Sequence, residues 1–228
     1  MMVTRNDPRR SSLLFLIVSA VVLFAVLWLV GIAISKYLGD DSIGRFDRSL
    51  VRTLARNRNG DLNQTTEVFS YLAETTTVVA AGVLLFVGAR LAWKRWGESL
   101  LVLAALVGEV TIFLGLTALV DRNRPKVHRL DVAPPTSSFP SGHVAAAVVL
   151  YGVVALIASR HLRSRVGKVV LWVAAFVIPV AVGAARMYRG MHFFTDVVAG
   201  GALGAVWLSV SNRALTPFTR ARSPNDRE

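Results

Sequence analysis

A short stretch late in the chain combines three side chains that could do chemistry together. Residues 186–196 read Arg-Met-Tyr-Arg-Gly-Met-His-Phe-Phe-Thr-Asp, which places Arg186, His192 and Asp196 at fixed offsets. If a helix begins near His192, Asp196 lies four residues further along the same helical face. Its carboxylate could then fix the imidazole tautomer and leave the other ring nitrogen free to attack an electrophile. Taken alone, such a pair is more often purely structural.

A second segment has the composition of an anion site. Residues 139–143 read Phe-Pro-Ser-Gly-His, so a proline, a capping Ser141 and Gly142 open a predicted helix with His143 in its first turn. A helix N-terminus with free backbone N–H groups binds anions readily. The alternative is that His143 is a capping or core histidine with no chemistry.

The loop before this segment is basic, reading Asp-Arg-Asn-Arg-Pro-Lys over residues 121–126. Arg124, Arg186 and the helix N-terminus could together bind a phosphoryl group. One histidine could attack that group and the other could protonate the leaving oxygen, although the residues alone do not say which. We expect no metal and no other cofactor, because too few nearby carboxylates remain for a Mg²⁺ site: Asp121, Asp131 and Asp196.

The elements that must position these residues are membrane helices. Of the 228 residues, 54% are hydrophobic, which is too apolar for an ordinary soluble domain of this size. Residues 13–34 form an uncharged run longer than the roughly 20 residues needed to span a bilayer. A signal peptide is the alternative, but residues 35–37 make a poor cleavage site, so a retained helix is predicted.

Five further spans are predicted, and they make the protein an all-α, six-span membrane protein: residues 75–92, 99–120, 144–159, 169–185 and 197–211. Glu109 is the one charge in the third span, so we expect it to face the bundle interior, as a functional group or as a structural partner. Gly200, Gly201 and Gly204 give the sixth span a small-residue face for close helix contact.

The polar interlude at residues 36–74 predicts an amphipathic helix on the membrane surface, with a small soluble cap as the alternative. Its apolar residues recur at helical spacing: Ile43, Phe46, Leu50, Val51 and Leu54.

The charge pattern predicts the orientation of the bundle. Six spans place both ends of the chain on one side and the two polar motifs on the other. Lys and Arg are divided almost equally between the sides, and they favour cytoplasmic tails at 1–12 and 213–228 once the cations of the motif loops are set aside. The net charge of +12 is then explained by lipid headgroups and phosphate, and no nucleic acid partner is expected.

Three motifs in this order resemble the type 2 phosphatidic acid phosphatase superfamily, membrane lipid phosphatases related to vanadium haloperoxidases. The family pattern is Lys, six residues, Arg-Pro, then Pro-Ser-Gly-His, then Ser-Arg, five residues, His, three residues, Asp. The matching residues over about 117–201 are Arg124-Pro125, Pro140-Ser141-Gly142-His143, Arg186, His192 and Asp196. Thr117 stands where the family has its Lys, and Ala185 where it has its Ser.

The resemblance implies a role for each matched residue. His192 would be the nucleophile that forms a phosphohistidine, Asp196 its orienting partner and His143 the general acid. Arg124 and Arg186, with Ser141 and the Gly142 backbone, would hold the phosphate oxygens, and Arg122 or Lys126 could replace the missing Lys.

We therefore expect a metal-independent lipid phosphatase of the plasma membrane whose site opens to the extracytoplasmic face. Undecaprenyl pyrophosphate is the first expected substrate, and phosphatidate or phosphatidylglycerol phosphate the second. A non-catalytic binder or translocator of phosphorylated lipids is the alternative from another class.

Overall fold

Six long apolar helices and two short ones make up the computed structural model, which describes residues 8–39, 41–94 and 96–219. The six long helices are each long and apolar enough to cross a membrane, which confirms the predicted six-span, all-α architecture. The helices are α1 Pro8–Ile32, α2 Ser42–Arg56, α3 Gly60–Tyr71, α4 Thr75–Trp93, α5 Gly97–Leu119, α6 Gly142–His161, α7 Arg165–Tyr188 and α8 Phe194–Thr219, and a π-helical turn at Ala33–Tyr37 extends α1.

The interlude between the first two spans holds two short helices where the sequence predicted one. α2 is amphipathic: it buries Asp47 and Val51 and leaves Ile43 and Phe46 exposed. α2 contacts α7 and α8, and α3 packs on α7. The surface helix is therefore also part of a cap that covers one end of the bundle.

The loops that carry the polar motifs meet at this capped end. The Leu130 N–H donates to the Arg189 carbonyl at 3.1 Å and joins the α5–α6 loop to the α7–α8 turn. The Arg58 guanidinium, just before α3, donates to the Tyr188 carbonyl at 2.6 Å. The α4–α5 and α6–α7 connections lie at the opposite end, where the described ends of α1 and α8 also lie. The chain thus brings its scattered motifs to one end by alternating the direction of its spans.

α6 lies at the centre of the bundle and carries one of the site motifs at its N-terminus. Its Val149, Val153 and Ile157 pack against residues of α5 and α8, including Leu101 and Leu208. In a bilayer such side chains stabilise the bundle through van der Waals packing, because lipid tails are as apolar as they are. The first turn of α6 is therefore held in place by the core beneath it.

Glycines let α8 approach α6 closely. A Cβ at Gly200 would collide with the backbone carbonyl of Ser141, and one at Gly204 would lie 2.7 Å from the Ala145 carbonyl oxygen. Gly201 has only an ordinary contact, at 3.9 Å from Val144. Two of the three predicted small residues therefore make the interface.

Some helix bounds differ from those that the sequence predicted. α8 begins at Phe194, after His192, and continues to Thr219, so residues 213–219 of the predicted C-terminal tail are helical. Residues 8–12 of the predicted N-terminal tail belong to α1. The remaining tail residues, 1–7 and 220–228, lie outside the described residues.

Candidate active site

A cavity of about 1020 Å³ at the capped end gathers most of the residues predicted for chemistry. It is lined by His143 and Gly142 from the start of α6, His192 from the α7–α8 turn, Arg124 from the α5–α6 loop and Arg186 from the end of α7. We call it the central cavity. Two imidazoles and two guanidiniums that are far apart in the chain therefore share one space.

His192 is held by the main chain. Its ring is buried, and Nδ1 lies 2.8 Å from the backbone carbonyl oxygen of Ser138 and 3.7 Å from Oδ2 of Asp196. The sequence predicted that Asp196 would orient the ring, but the direct partner is the Ser138 carbonyl, with Asp196 behind it. A carbonyl oxygen only accepts, so Nδ1 carries the proton and Nε2 keeps a free lone pair in the neutral ring.

The surroundings of His192 keep it neutral. Burial lowers the pKa of the imidazole below its ordinary value, and the nearby Arg186 and Arg124 lower it further, while the Asp196 carboxylate raises it and only partly offsets them. A neutral imidazole with a free nitrogen is the form that can act as a nucleophile.

Asp196 links three parts of the site. Its Oδ2 accepts from the Phe193 backbone N–H at 2.8 Å, its Oδ1 accepts from the Arg122 guanidinium, and its main-chain carbonyl accepts from the Ser141 N–H at 2.9 Å. The carboxylate is fully buried. It fixes the turn that carries His192 and also joins that turn to the start of α6.

Arg124 and Arg186 line the central cavity, and each guanidinium is held by acceptors of the protein. Arg124 Nη1 donates to the Met191 carbonyl at 2.9 Å, and Arg186 Nη1 donates to Ser70 Oγ and Asp131 Oδ2, each at 2.8 Å. Among the described residues, the buried Nε of each guanidinium has no hydrogen-bond partner. Two guanidinium cations that line one cavity suit an oxyanion.

Asp131 positions Arg186 and was not among the predicted site residues. It accepts from Arg186 at 2.8 Å and from Arg189 Nη2 at 2.6 Å. Burial alone would raise the pKa of Asp131, but the hydrogen bond from Arg189 and the charges of both arginines hold it below its ordinary value. Ser70 was missed as well. No sequence spacing links Ser70 or Asp131 to Arg186, although the sequence shows Asp131 to be a carboxylate close to the basic loop.

The start of α6 supplies the hydroxyl oxygen of Ser141 and, at Gly142, a backbone that the Phe113 ring approaches closely. Ser141 is buried, and its Oγ has no hydrogen-bond partner among the described residues. A Cβ at Gly142 would lie 2.6 Å from the Phe113 ring, so a larger residue would force the ring to move. Because the Ser141 N–H is taken by Asp196, an anion would use N–H groups further along the first turn.

Arg122 and Lys126 do not line the central cavity, so they do not replace the missing Lys there. Both line a separate cavity of about 530 Å³ beside α2. The Arg122 guanidinium is bound to Asp196 and, at 2.8 Å, to Asp47 of α2, whose Oδ2 also accepts from Thr195 Oγ1 at 2.5 Å. Arg122 is thus part of a buried ion-pair network that ties α2 to the start of α8.

The family model of the PAP2 superfamily matches residues 100–220, more than half of the chain. The chain belongs to the PAP2 superfamily. It is similar to phosphatidylglycerophosphatase B of Bacillus subtilis (strain 168), with 29% identity over 180 residues, covering 78% of this chain and 87% of that one. It is also similar to undecaprenyl-diphosphatase of Sulfolobus acidocaldarius, with 26% identity over 191 residues, covering 81% and 86%.

Solved structures agree with this membership. A transmembrane PAP2-type phosphatidylglycerolphosphate phosphatase from Bacillus subtilis superposes with a TM-score of 0.77 at 27% identity, covering 90% of this chain and 99% of that one. LpxE from Aquifex aeolicus superposes with a TM-score of 0.54 at 25% identity, covering 72% and 93%. The protein is therefore a multi-pass membrane hydrolase that acts on lipid phosphates.

The two departures from the PAP2 pattern are visible in the structure. Thr117 lies on α5, where its hydroxyl donates to the Leu114 carbonyl at 3.0 Å, and it does not line the central cavity. Ala185 is buried at 1% exposure. The described cationic groups of this PAP2 cavity are therefore Arg124 and Arg186.

The two guanidiniums of the PAP2 cavity suit an oxyanion, although carboxyl groups also line this cavity: Glu67, Glu74, Glu109 and Asp131. Within the described residues, no group of three or more His, Asp or Glu side chains could hold a metal ion. The donors are instead N–H groups of arginine, which match phosphate geometry.

Proposed function

We propose that this PAP2 protein hydrolyses its lipid phosphate through a phosphohistidine on His192. The observation that carries the proposal is the buried His192, whose Nδ1 is hydrogen-bonded to a carbonyl and which shares one cavity with two guanidiniums. Nε2 attacks phosphorus, a P–N bond forms and the bond from phosphorus to the lipid oxygen breaks. His143 gives its proton to that oxygen. Arg124, Arg186, Ser141 and the Gly142 backbone hold the phosphate oxygens, and Asp196 holds the turn.

The second half of the reaction returns the site to its starting state. His143, now without its proton, takes one from a water molecule that attacks phosphorus. The P–N bond breaks, inorganic phosphate leaves and His192 regains its lone pair. No metal ion takes part in either step.

We propose that the tail of the lipid stays in the apolar part of the central cavity, between α4 and α5, while the headgroup enters from the capped end. Undecaprenyl pyrophosphate is supported by the apolar lining and by the name of the archaeal relative. Phosphatidylglycerol phosphate is supported by the names of the Bacillus relative and of the solved Bacillus structure, and phosphatidate is the related alternative. The membrane is the plasma membrane, with the site on the extracytoplasmic side.

The mechanism is tested by phosphate release from these lipids by purified protein in excess chelator. We expect activity to persist in chelator, and His192→Ala to lower it by at least about a thousandfold, because the nucleophile is lost. His128→Ala is the matched control, since that exposed histidine lies outside the central cavity. Activity that disappears in chelator and returns with Mg²⁺ would contradict the mechanism.

A covalent intermediate separates this enzyme from a binder or translocator of the same lipids. Protein mixed with a ³²P-labelled lipid phosphate and quenched at alkaline pH should carry acid-labile label in the wild type and none in His192→Ala. Lipid binding without label in both proteins would favour the binder.

A further inference from the structure

A second cavity lies beside α2 and, within the described residues, shares only Arg124 with the central cavity. We call it the side cavity. Its volume of about 530 Å³ lies within the range of roughly 300–1,000 Å³ that is usual for ligand sites. Its described lining holds five cationic groups and two carboxylates, which give a formal charge of +3: Arg48, Arg52, Arg122, Arg124 and Lys126, with Asp47 and Asp121.

Two of these cations have no counter-charge in contact. The Arg122 guanidinium is bound to Asp47 at 2.8 Å and also to Asp196, so the charges of that network are compensated. Arg52 and Lys126 are exposed side chains that make no hydrogen bond or ion pair with any described residue. The uncompensated charge of the side cavity is therefore positive and accessible.

The fold holds these cations close to one another. Arg48 and Arg52 lie one turn apart on the same face of α2, and Lys126 comes from the α5–α6 loop. The buried ion pair between Asp47 and Arg122 ties this part of α2 to that loop. Like charges held at such spacing repel one another. A bound anion offsets that repulsion.

The position of the side cavity matches the level of lipid headgroups. Ile34 and Ser35, near the end of the first span, belong to its lining, so the cavity lies where that span leaves the membrane. On the outer surface of the cap, the exposed rings of Phe46 and Phe194 meet edge to face, with their centroids 5.7 Å apart. Exposed aromatic rings at the ends of membrane spans are typical of the membrane–water interface.

We propose that the side cavity is a second, non-catalytic site that binds a phosphate group. The group is the phosphodiester of an anionic phospholipid or free inorganic phosphate, since both present oxygens that guanidinium and ammonium groups bind. The interfacial position favours the phospholipid, and Ile34 and Val51 add apolar contacts for its glycerol backbone. A phosphate bound here contacts α2 and the α5–α6 loop at once and so holds the cap in place. The proposal does not depend on the reaction mechanism.

Binding is measured by isothermal titration of the full chain in a nonionic detergent with three probes: dihexanoyl phosphatidylglycerol, dihexanoyl phosphatidylcholine and inorganic phosphate. We expect Arg52→Gln/Lys126→Gln to weaken the binding of phosphatidylglycerol about tenfold, because two cations of the side cavity are lost. Arg56→Gln/Arg129→Gln is the matched control. It removes the same charge from the same helix and the same loop, but outside the cavity, and should change the binding less than about twofold.

The three probes distinguish the source of the phosphate. Phosphatidylglycerol that binds more tightly than inorganic phosphate assigns the site to a phospholipid. Equal affinities, with an equal loss in Arg52→Gln/Lys126→Gln, assign it to free phosphate. Phosphatidylcholine that binds as tightly as phosphatidylglycerol would show that the acyl tails carry the binding, and would overturn the anion site.

The variants test whether the side cavity itself is responsible. Equal weakening in both double variants, or none in either, would mean that this cavity binds no phosphate. If kcat/KM for a short-chain lipid phosphate substrate fell as much as the binding, these cations would serve the central cavity, and the second site would be refuted. Size-exclusion chromatography and thermal unfolding in detergent exclude misfolding as the cause of a loss.

Discussion

At the residue scale, the fold holds His192, the proposed nucleophile, without a charged partner in direct contact. The Ser138 carbonyl fixes the tautomer at 2.8 Å, and the carboxylate of Asp196 is occupied by a backbone N–H and by Arg122. A direct bond to the carboxylate would stabilise the protonated ring more strongly. The observed arrangement therefore favours a ring that stays neutral and keeps its lone pair.

The depressed pKa of His192 predicts how activity and stability depend on pH. Burial holds the folded-state pKa below the ordinary value of 6.5, so the ring stays neutral at pH 7 and activity falls only as pH drops through that lower pKa. The unfolded chain takes up the proton first, so the contribution to stability also declines as pH falls below about 6.5. The check is NMR titration of ¹³C-labelled histidine, with the His192 resonance assigned from the His192→Ala spectrum. A midpoint at or above 6.5 would contradict this picture.

The residue scale also shows what sequence alone could predict about the site. Arg124, Arg186, His143 and His192 were predicted from motifs and do line one cavity. The Ser138 carbonyl could not be predicted, because a main-chain acceptor has no residue signature. Asp131 and Ser70 reach Arg186 from distant segments, and such contacts depend on how the helices pack.

At the element scale, the close approach of α8 to α6 holds the two histidine motifs together. The carbonyl of Asp196 accepts the Ser141 N–H at 2.9 Å, and Gly200 allows this distance because it has no side chain. The sixth span predicted from the sequence includes this glycine face, so the sequence alone indicates why α8 can approach a neighbouring helix closely. The sequence predicted a single helix where the cap has two, α2 and α3, although Asn59 and Gly60 together signal the break between them.

Substitution of Gly200 should therefore separate the motifs. In Gly200→Ala the new Cβ would collide with the Ser141 backbone, and neither backbone can move cheaply, so we expect at least a tenfold loss of kcat and a lower Tm. Gly201→Ala is the matched control, because its Cβ would have only an ordinary contact at 3.9 Å. Phosphate release and thermal unfolding in detergent measure both effects. Because Ala has a higher helix propensity than Gly, equal losses in the two variants would mean that the α6–α8 contact at Gly200 does not set the result.

At the scale of the whole molecule, the alternating spans place the site at one end and the described chain ends at the other. The apolar runs sufficed to predict this arrangement, since the order of spans alone determines it. The order of spans does not determine which side of the membrane the site faces. The excess of Lys and Arg that usually marks the cytoplasmic side is obscured here by the cations of the motif loops.

The absence of cysteine from the sequence makes the orientation directly testable. We expect Arg129→Cys, in the exposed α5–α6 loop, to react with a membrane-impermeant maleimide added to intact cells. Arg163→Cys, in the exposed α6–α7 connection, should react only after the cells are opened. The reverse labelling pattern would place the site in the cytoplasm and overturn the extracytoplasmic assignment.

The buried pairing of Asp47 with Arg122 has a consequence for how much of the chain an active enzyme needs. The family-matched region begins at residue 100, yet Asp47 and Ser70 lie before it. Asp47 binds Arg122, which holds Asp196, and Ser70 binds Arg186, which lines the central cavity. A protein shortened to the matched region would retain every motif residue and lose the partners that orient them. We therefore expect activity only from the full bundle with its cap of α2 and α3. A fragment that keeps every motif residue but lacks this cap should insert into a bilayer and remain inactive.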